Sequence, residues 1–190
     1  MMPSGMKRSA VVALVFSSSL LAGYSYTATP RVVPLVREYE TVSLKSVSLI
    51  VTNAEKDSVE HDILTEKKEQ SGFRANRRDW SKKLVEALAR ELARRGAQVR
   101  SDAPVTLGLA LPEITFSQAK ELYQFKSKVT VTSSTGWSKV YEGIAGSSRY
   151  GVGSMVTEAD RLAGQTLAEA IKTMLGDAEF IELLRNGSHP

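Results

Sequence analysis

The stretch 79–112, DWSKKLVEALARELARRGAQVRSDAPVTLGLALP, changes its hydrophobic period once, and that change decides the fold. In its first half Trp80, Leu84, Val85, Leu88 and Leu92 recur at intervals of three and four, which places one apolar stripe along an α-helix. Asp79 is positioned to cap the first turn. Gly96 follows Arg94-Arg95 as a natural stop, with cations at the negative end of the helix dipole. In the second half Val105, Leu107, Leu109 and Leu111 alternate, the pattern of a strand with one buried face, until Pro112 disturbs the register. A one-sided helix followed by a one-sided strand calls for packing of helix on sheet.

The flanks extend this pattern. Upstream, Thr41 to Val51 alternates through Val42, Leu44, Val47, Leu49 and Val51 with one slip near Lys45-Ser46, and reads as a strand with a bulge. Asn53 to Asn76 is polar and reads as a long loop or excursion, unusual enough in a compact domain to suggest unrecognised structure. Downstream, Leu122 to Thr132 and Trp137 to Tyr150 form two further strands around a Thr135-Gly136 turn. Gly151-Val152-Gly153-Ser154 then leads into a helix with a stripe of Ala159, Leu162, Ala163, Thr166, Ala170, Ile171, Met174 and Leu175. Asp177 caps a short third helix through Phe180, Ile181 and Leu184. The expected order is β-α-β-β-β-α-α. The expected fold is a single α+β domain over 41–186, a two-layer sandwich with two main helices on one face of a four-stranded, mainly antiparallel sheet. Residues 187–190 are expected to fray.

The N-terminus has a different character. Met6-Lys7-Arg8 is basic, Ala10 to Leu21 is apolar with a Ser17-Ser18-Ser19 interruption, and Ala22, Gly23 and Ser25 are small. That is the layout of a secretory signal peptide over 1–25, too short and too polar to span a bilayer permanently. Ser25 to Val36, with Pro30 and Pro34, reads as an extended tether continuing to residue 40.

Leu21-Ala22-Gly23-Tyr24 resembles the lipobox of bacterial lipoproteins, with Tyr24 where the acylated cysteine belongs. A phenol does not replace that thiolate, so the chain as written is not lipidated at Tyr24. Cleavage after Ser25 would give an unanchored product, which leaves membrane association open. With this start, the element order resembles the YajG family of Gram-negative envelope lipoproteins over roughly Thr41 to Asn186. The corresponding stretches are Leu92 to Ala97, Pro104 to Leu111 and Asp177 to Ile181. The resemblance implies periplasmic placement at the outer membrane, no established enzymatic activity and no active-site residues to transfer.

Composition narrows the chemistry further. The chain has no cysteine, which excludes disulfides and thiol chemistry, and only two histidines. Its net charge is +4, and removing Lys7 and Arg8 leaves 23 basic against 21 acidic residues, a nearly neutral domain. His61 and His189 fall in polar surroundings and read as solvated. Gly151-Val152-Gly153 lacks the lysine and third glycine of a phosphate loop and reads as a flexible joint. Glu113 and Glu121 are candidate paired carboxylates, expected to flank a turn or bulge on the solvent side. Trp80 is expected in the core, and Trp137 as cover beside a turn. No catalytic, cofactor or metal site is expected.

The feature with functional weight is a basic run from Arg74 to Arg100, nine cations against Asp79, Glu86 and Glu91. It is either a solvated helix face or an electrostatic surface, carried by Lys82, Lys83, Arg90 and Arg94, for an acidic envelope protein, anionic lipid or lipopolysaccharide. Nucleic acid does not fit the compartment. The expected function is that of a non-enzymatic periplasmic or outer-membrane-associated accessory protein. The alternative is an auxiliary subunit of an envelope lipid or lipopolysaccharide transport system.

Overall fold

The computed structural model of the protein describes residues 25–33, 42–65, 67–68, 70–119, 122–148 and 155–187. In chain order these form β1 (Tyr26–Thr27), β2 (Ser48–Asn53), β3 (Glu60–Thr65), β4 (Gln70–Asn76), α1 (Arg77–Arg94), β5 (Gln98–Val99), β6 (Val105–Ala119), β7 (Leu122–Ser133), β8 (Ser138–Ser148), α2 (Met155–Gly176) and α3 (Ala178–Asn186). The signal-like and lipobox-like residues through Tyr24 lie outside the described residues, as do Glu121, the Gly151–Ser154 joint and His189.

The spine of the sheet is β6. One side pairs antiparallel with β7 from Leu107↔Ser133 to Ala119↔Leu122, and β7 pairs antiparallel with β8. The other side takes two partners in succession. β2 runs parallel to it from Leu49↔Val105 to Asn53↔Leu109, and β3 joins further along, parallel at Leu64↔Thr115 and Thr65↔Phe116. β5 extends the sheet parallel to β2, β4 lies antiparallel on β3, and β1 is parallel to β4.

The α+β character is as expected, but the sheet is not. Among the described residues it has eight strands of mixed direction instead of four mainly antiparallel ones. The polar stretch read as an excursion holds β3 and β4. Their signal is weak for physical reasons. Only Ile63, Phe73 and Ala75 face the core, while the outer side carries Arg74 paired with Glu60 and Asp62. A register shift beside Gly72, which sits at φ +79°, breaks the alternation further. β6 also continues past Pro112 to Ala119. Between Ala110↔Thr130 and Glu113↔Lys128 it carries one residue more than β7, so the proline sits at a bulge where no ladder donor is required.

α1 packs on β2 and β6, α2 on β7 and β8, and the two helices touch, so both lie on one face of the sheet. The core between the layers contains Trp80, Leu84, Leu88 and Leu92 of α1 and Leu162, Leu167, Ile171 and Met174 of α2. They meet Leu107, Leu109, Phe125, Val129 and Val131 of the sheet. Among the described residues nothing covers the opposite face, and Val140 and Ile144 are 52% and 46% exposed there. The α1 cap lies three residues before the expected one. Asn76, not Asp79, is the N-cap, and its side chain accepts from the Asp79 N–H at 3.1 Å. Gly96 ends the helix as expected. At φ +95° it lets its own N–H reach Ala93 O and the Ala97 N–H reach Leu92 O.

Two glycines hold the layers close. A Cβ on Gly143 of β8 would lie 1.8 Å from the Thr166 carbonyl oxygen of α2. One on Gly164 would lie 2.1 Å from the Arg31 carbonyl oxygen. The second contact belongs to residues 26–33, part of the stretch expected to be a tether. Here Tyr26 and Thr27 pair with Phe73 and Arg74, Ala28 is buried, and the Trp80 indole N–H donates to Ala28 O at 2.8 Å.

Candidate functional site

Lys82, Lys83 and Arg90 stand exposed on the outward side of α1, as the Leu stripe requires. Their setting is less uniformly cationic than the sequence suggests. Lys83 lies 3.8 Å from Glu86, and Arg94 lies 3.0 Å from Glu91, which is itself only 5% exposed. Arg74 is drawn to Glu60 and Asp62 on the sheet, and Arg100 to Asp102. Exposed pairs of this kind contribute about 0–1 kcal/mol each to stability. The cationic face is therefore a narrow strip around Lys82, Lys83 and Arg90, with Lys83 and Arg94 partly neutralised.

Several other ionisable groups are tied into joints of the fold. Between β2 and β3 a ladder of side-chain caps runs along the chain: Asn53 Oδ1 accepts from Glu55 N, Glu55 Oε1 from Asp57 N, and Asp57 Oδ1 from Val59 N. The Val59 N–H holds the Asp57 carboxyl below its ordinary range, and His61 Nε2, at 2.6 Å, adds to this. Glu55 Oε2 accepts from Leu111 N, next to the β6 bulge. Glu113 meets Lys128 Nζ at 2.7 Å, and this hydrogen bond raises the lysine; Glu113 is thus an ion-pair partner, and Glu121 lies outside the described residues.

A second joint fastens α3 to β8. Trp137 Nε1 donates to Glu179 Oε1 at 2.7 Å, Lys139 Nζ reaches Glu179 Oε2 at 2.7 Å and Asp177 Oδ2 at 2.8 Å, and Tyr141 OH donates to Asp177 Oδ2 at 2.6 Å. Burial, reinforced by the Asp177 carboxylate, pushes the Tyr141 phenol well above its usual value. Partial desolvation would raise Asp177, but the Lys139 and Tyr141 hydrogen bonds outweigh it and hold the carboxyl below its ordinary range. Asp177 also accepts from Glu179 N as the α3 cap, the role the sequence assigned to it. Trp80 lies in the core, and Trp137 is half-buried against Phe180 beside its turn.

One cleft, about 600 Å³, lies between Val42 and the α2–α3 corner. Another of about 470 Å³ lies between Arg31, Val33 and the α2 residues Asp160 and Arg161. Both open to solvent. In the second, Asp160 is already occupied by Tyr26 OH and Thr29 N, and Arg161 by Glu158. Among the described residues no cluster of three His, Asp or Glu could hold a metal ion, and no helix is long and apolar enough to cross a membrane.

These surfaces sit on a known architecture. The fold is shared with XCC0632. That protein of Xanthomonas campestris, described under the family DUF330, is 15% identical in sequence; the match covers 80% of this chain and 91% of that one with a TM-score of 0.52. A minor lipoprotein from Acinetobacter baumannii aligns more loosely, at 13% identity over 74% and 92% of the two chains with a TM-score of 0.40. No protein-family description matches the sequence, and no curated protein matches it. The first likeness establishes a fold, and at 15% identity it transfers no residue role.

The sequence reading missed the two polar joints. Asn53-x-Glu55-x-Asp57-x-Val59 has the two-residue spacing of successive capped turns, which was its signal. Lys139 and Tyr141 share one face of β8 with Trp137 just ahead of it, but their partners are about 40 residues away in the chain. No local pattern announces that pairing.

Proposed function

We propose that the protein is an exported, non-catalytic accessory protein of a bacterial cell envelope, similar in kind to the YajG-like lipoproteins, acting through surface contacts with a partner. The observation that carries this reading is the order of residues 6–25, basic, then apolar, then small, placed directly ahead of the first strand at Tyr26. The side-chain chemistry supports it: the acids and bases closest to one another serve as caps and ion pairs, and in the cleft beside Arg31 both Asp160 and Arg161 are already engaged. Without a thiol at residue 24, retention at a membrane would fall to a partner or to the strip of Lys82, Lys83, Arg90 and Arg94.

The open sheet face favours a second reading, an auxiliary subunit of a lipid or lipopolysaccharide transport system, because Val140 and Ile144 project from it uncovered. Crosslinking in intact cells followed by purification separates the two. Recovery of a transport complex selects the second reading, recovery of other envelope proteins selects the first, and recovery of cytosolic proteins alone defeats both. The basic strip has its own test. Binding to vesicles of anionic phospholipid should weaken steeply with salt and disappear on charge reversal of all four residues; unchanged binding removes the strip from the account.

A further inference from the structure

We propose that the free edge of β8 is a docking site for a lone extended peptide segment of a partner protein, added to the sheet as a further strand. Among the described residues β8 pairs only with β7, and its other edge is open along eleven residues, Ser138–Ser148. The short strands β1 and β5, two residues each, end the sheet elsewhere. Long open edges are usually blunted by proline, bulges or unpaired charges. β8 has no proline and an unbroken register with β7. Both its charges are neutralised within the domain, Lys139 by Asp177 and Glu179, and Glu142 by Lys126. Val140 and Ile144, half exposed, flank the edge on the open face.

The hairpin fixes which groups are offered. Ser133 N donates to Trp137 O at 2.8 Å, and the register then runs without a shift from Thr132↔Ser138 to Leu122↔Ser148. Odd-numbered residues of β8 therefore direct their N–H and C=O at β7, and even-numbered ones direct theirs outward. Val140, Glu142 and Ile144 present both these outward backbone groups and the outward side chains of the open face.

The geometry also selects the occupant. α2 rests on β8 itself, so closely that Gly143 admits no Cβ against Thr166 O. Neighbouring strands lie about 4.8 Å apart, whereas packed helices need about 8–10 Å. A second copy joined edge to edge through β8 would bring its own α2 into the first. A strand with no helix over it fits. Its residues beside α2 must be small, and those on the open face should be apolar opposite Val140 and Ile144, with a solubilising polar residue such as lysine opposite Glu142, whose charge Lys126 already meets.

The test uses the purified full chain and an acetylated nine-residue peptide with serines on one face and valines flanking a lysine on the other. With peptide at about 1 mM, a Kd of about 0.25 mM leaves about a fifth of the chain free, so amide exchange at Val140, Glu142 and Ile144 should slow about fivefold. Tyr141 and Gly143, already bonded to β7, should not change. Ile144→Pro removes an outward N–H that the β7 ladder does not use, and should abolish the effect while the thermal transition of the protein persists. Absence of this alternating protection, or its survival in Ile144→Pro, overturns the proposal. So does the same pattern arising without peptide in a chain that sediments as a dimer, because the occupant would then be a second copy.

Discussion

Gly164→Ala sets helix propensity against the docking of residues 26–33. In the middle of an exposed helix this substitution stabilises by about 1 kcal/mol, because alanine loses less backbone freedom on folding. Here the new methyl would lie 2.1 Å from Arg31 O and 2.7 Å from Arg31 C, and both are backbone atoms that cannot rotate aside. The segment must move away from α2. Its movement strains the bond from the buried Trp80 indole to Ala28 O, and leaving a buried donor unsatisfied costs about 1–3 kcal/mol. The contacts of Asp160 with Tyr26 OH and Thr29 N loosen with it. The expected balance is a loss of about 2 kcal/mol instead of a gain of about 1, which lowers Tm by roughly 4–8 °C for a chain of this size. Calorimetry reads the sign. Exchange of the Ala28 amide, which donates to Arg74 O, and tryptic cleavage at Arg31 locate the cause, and both should accelerate. A rise in Tm with Ala28 still protected would refute the reasoning, since the segment would then be a tether after all.

Two further expectations follow from the joints. Asn76→Ala should cost about 1 kcal/mol or somewhat more, since the side chain both caps α1 and donates to Ser58 O, whereas Asp79→Ala should cost a few tenths; denaturant titration distinguishes them. The α3 joint should give an acid-sensitive component of stability. Asp177 and Glu179 are held below their ordinary values, so their contribution is present above the unfolded carboxylate range and is lost as pH falls through the lowered folded values. Tyr141→Phe should destabilise at neutral pH by about 1–2 kcal/mol and make this acid loss shallower; an unchanged pH profile would mean that the contact carries no weight.

What the sequence made legible and what it hid divide along one physical line. α1, α2 and α3 were readable because each buries a full stripe, and every residue assigned to the α2 stripe is buried. β7 and β8 were readable because one face of each is core and the other solvent. β3 and β4 bury three apolar side chains between them and fill their outer side with Arg74, Glu60 and Asp62, so their pattern looks like a loop. The parallel pairings of β2, β3 and β5 are nonlocal and left no mark in the spacing. The basic strip was visible as charge, but its partial cancellation by Glu86 and Glu91 depends on side-chain reach. The free edge of β8 is a property of topology, and no single stretch of residues encodes it.

Compartment supports the rest of the functional reading, and the absence of cysteine makes it directly measurable. Ser101→Cys places one thiol in an exposed turn, available to a maleimide that does not cross the inner membrane. In cells with a permeable outer membrane and an intact inner one, the protein should label fully, with a mature mass beginning near Tyr26. Labelling only after the inner membrane is broken, on a chain that still carries Ala10 to Leu21, would contradict export and with it the proposed function.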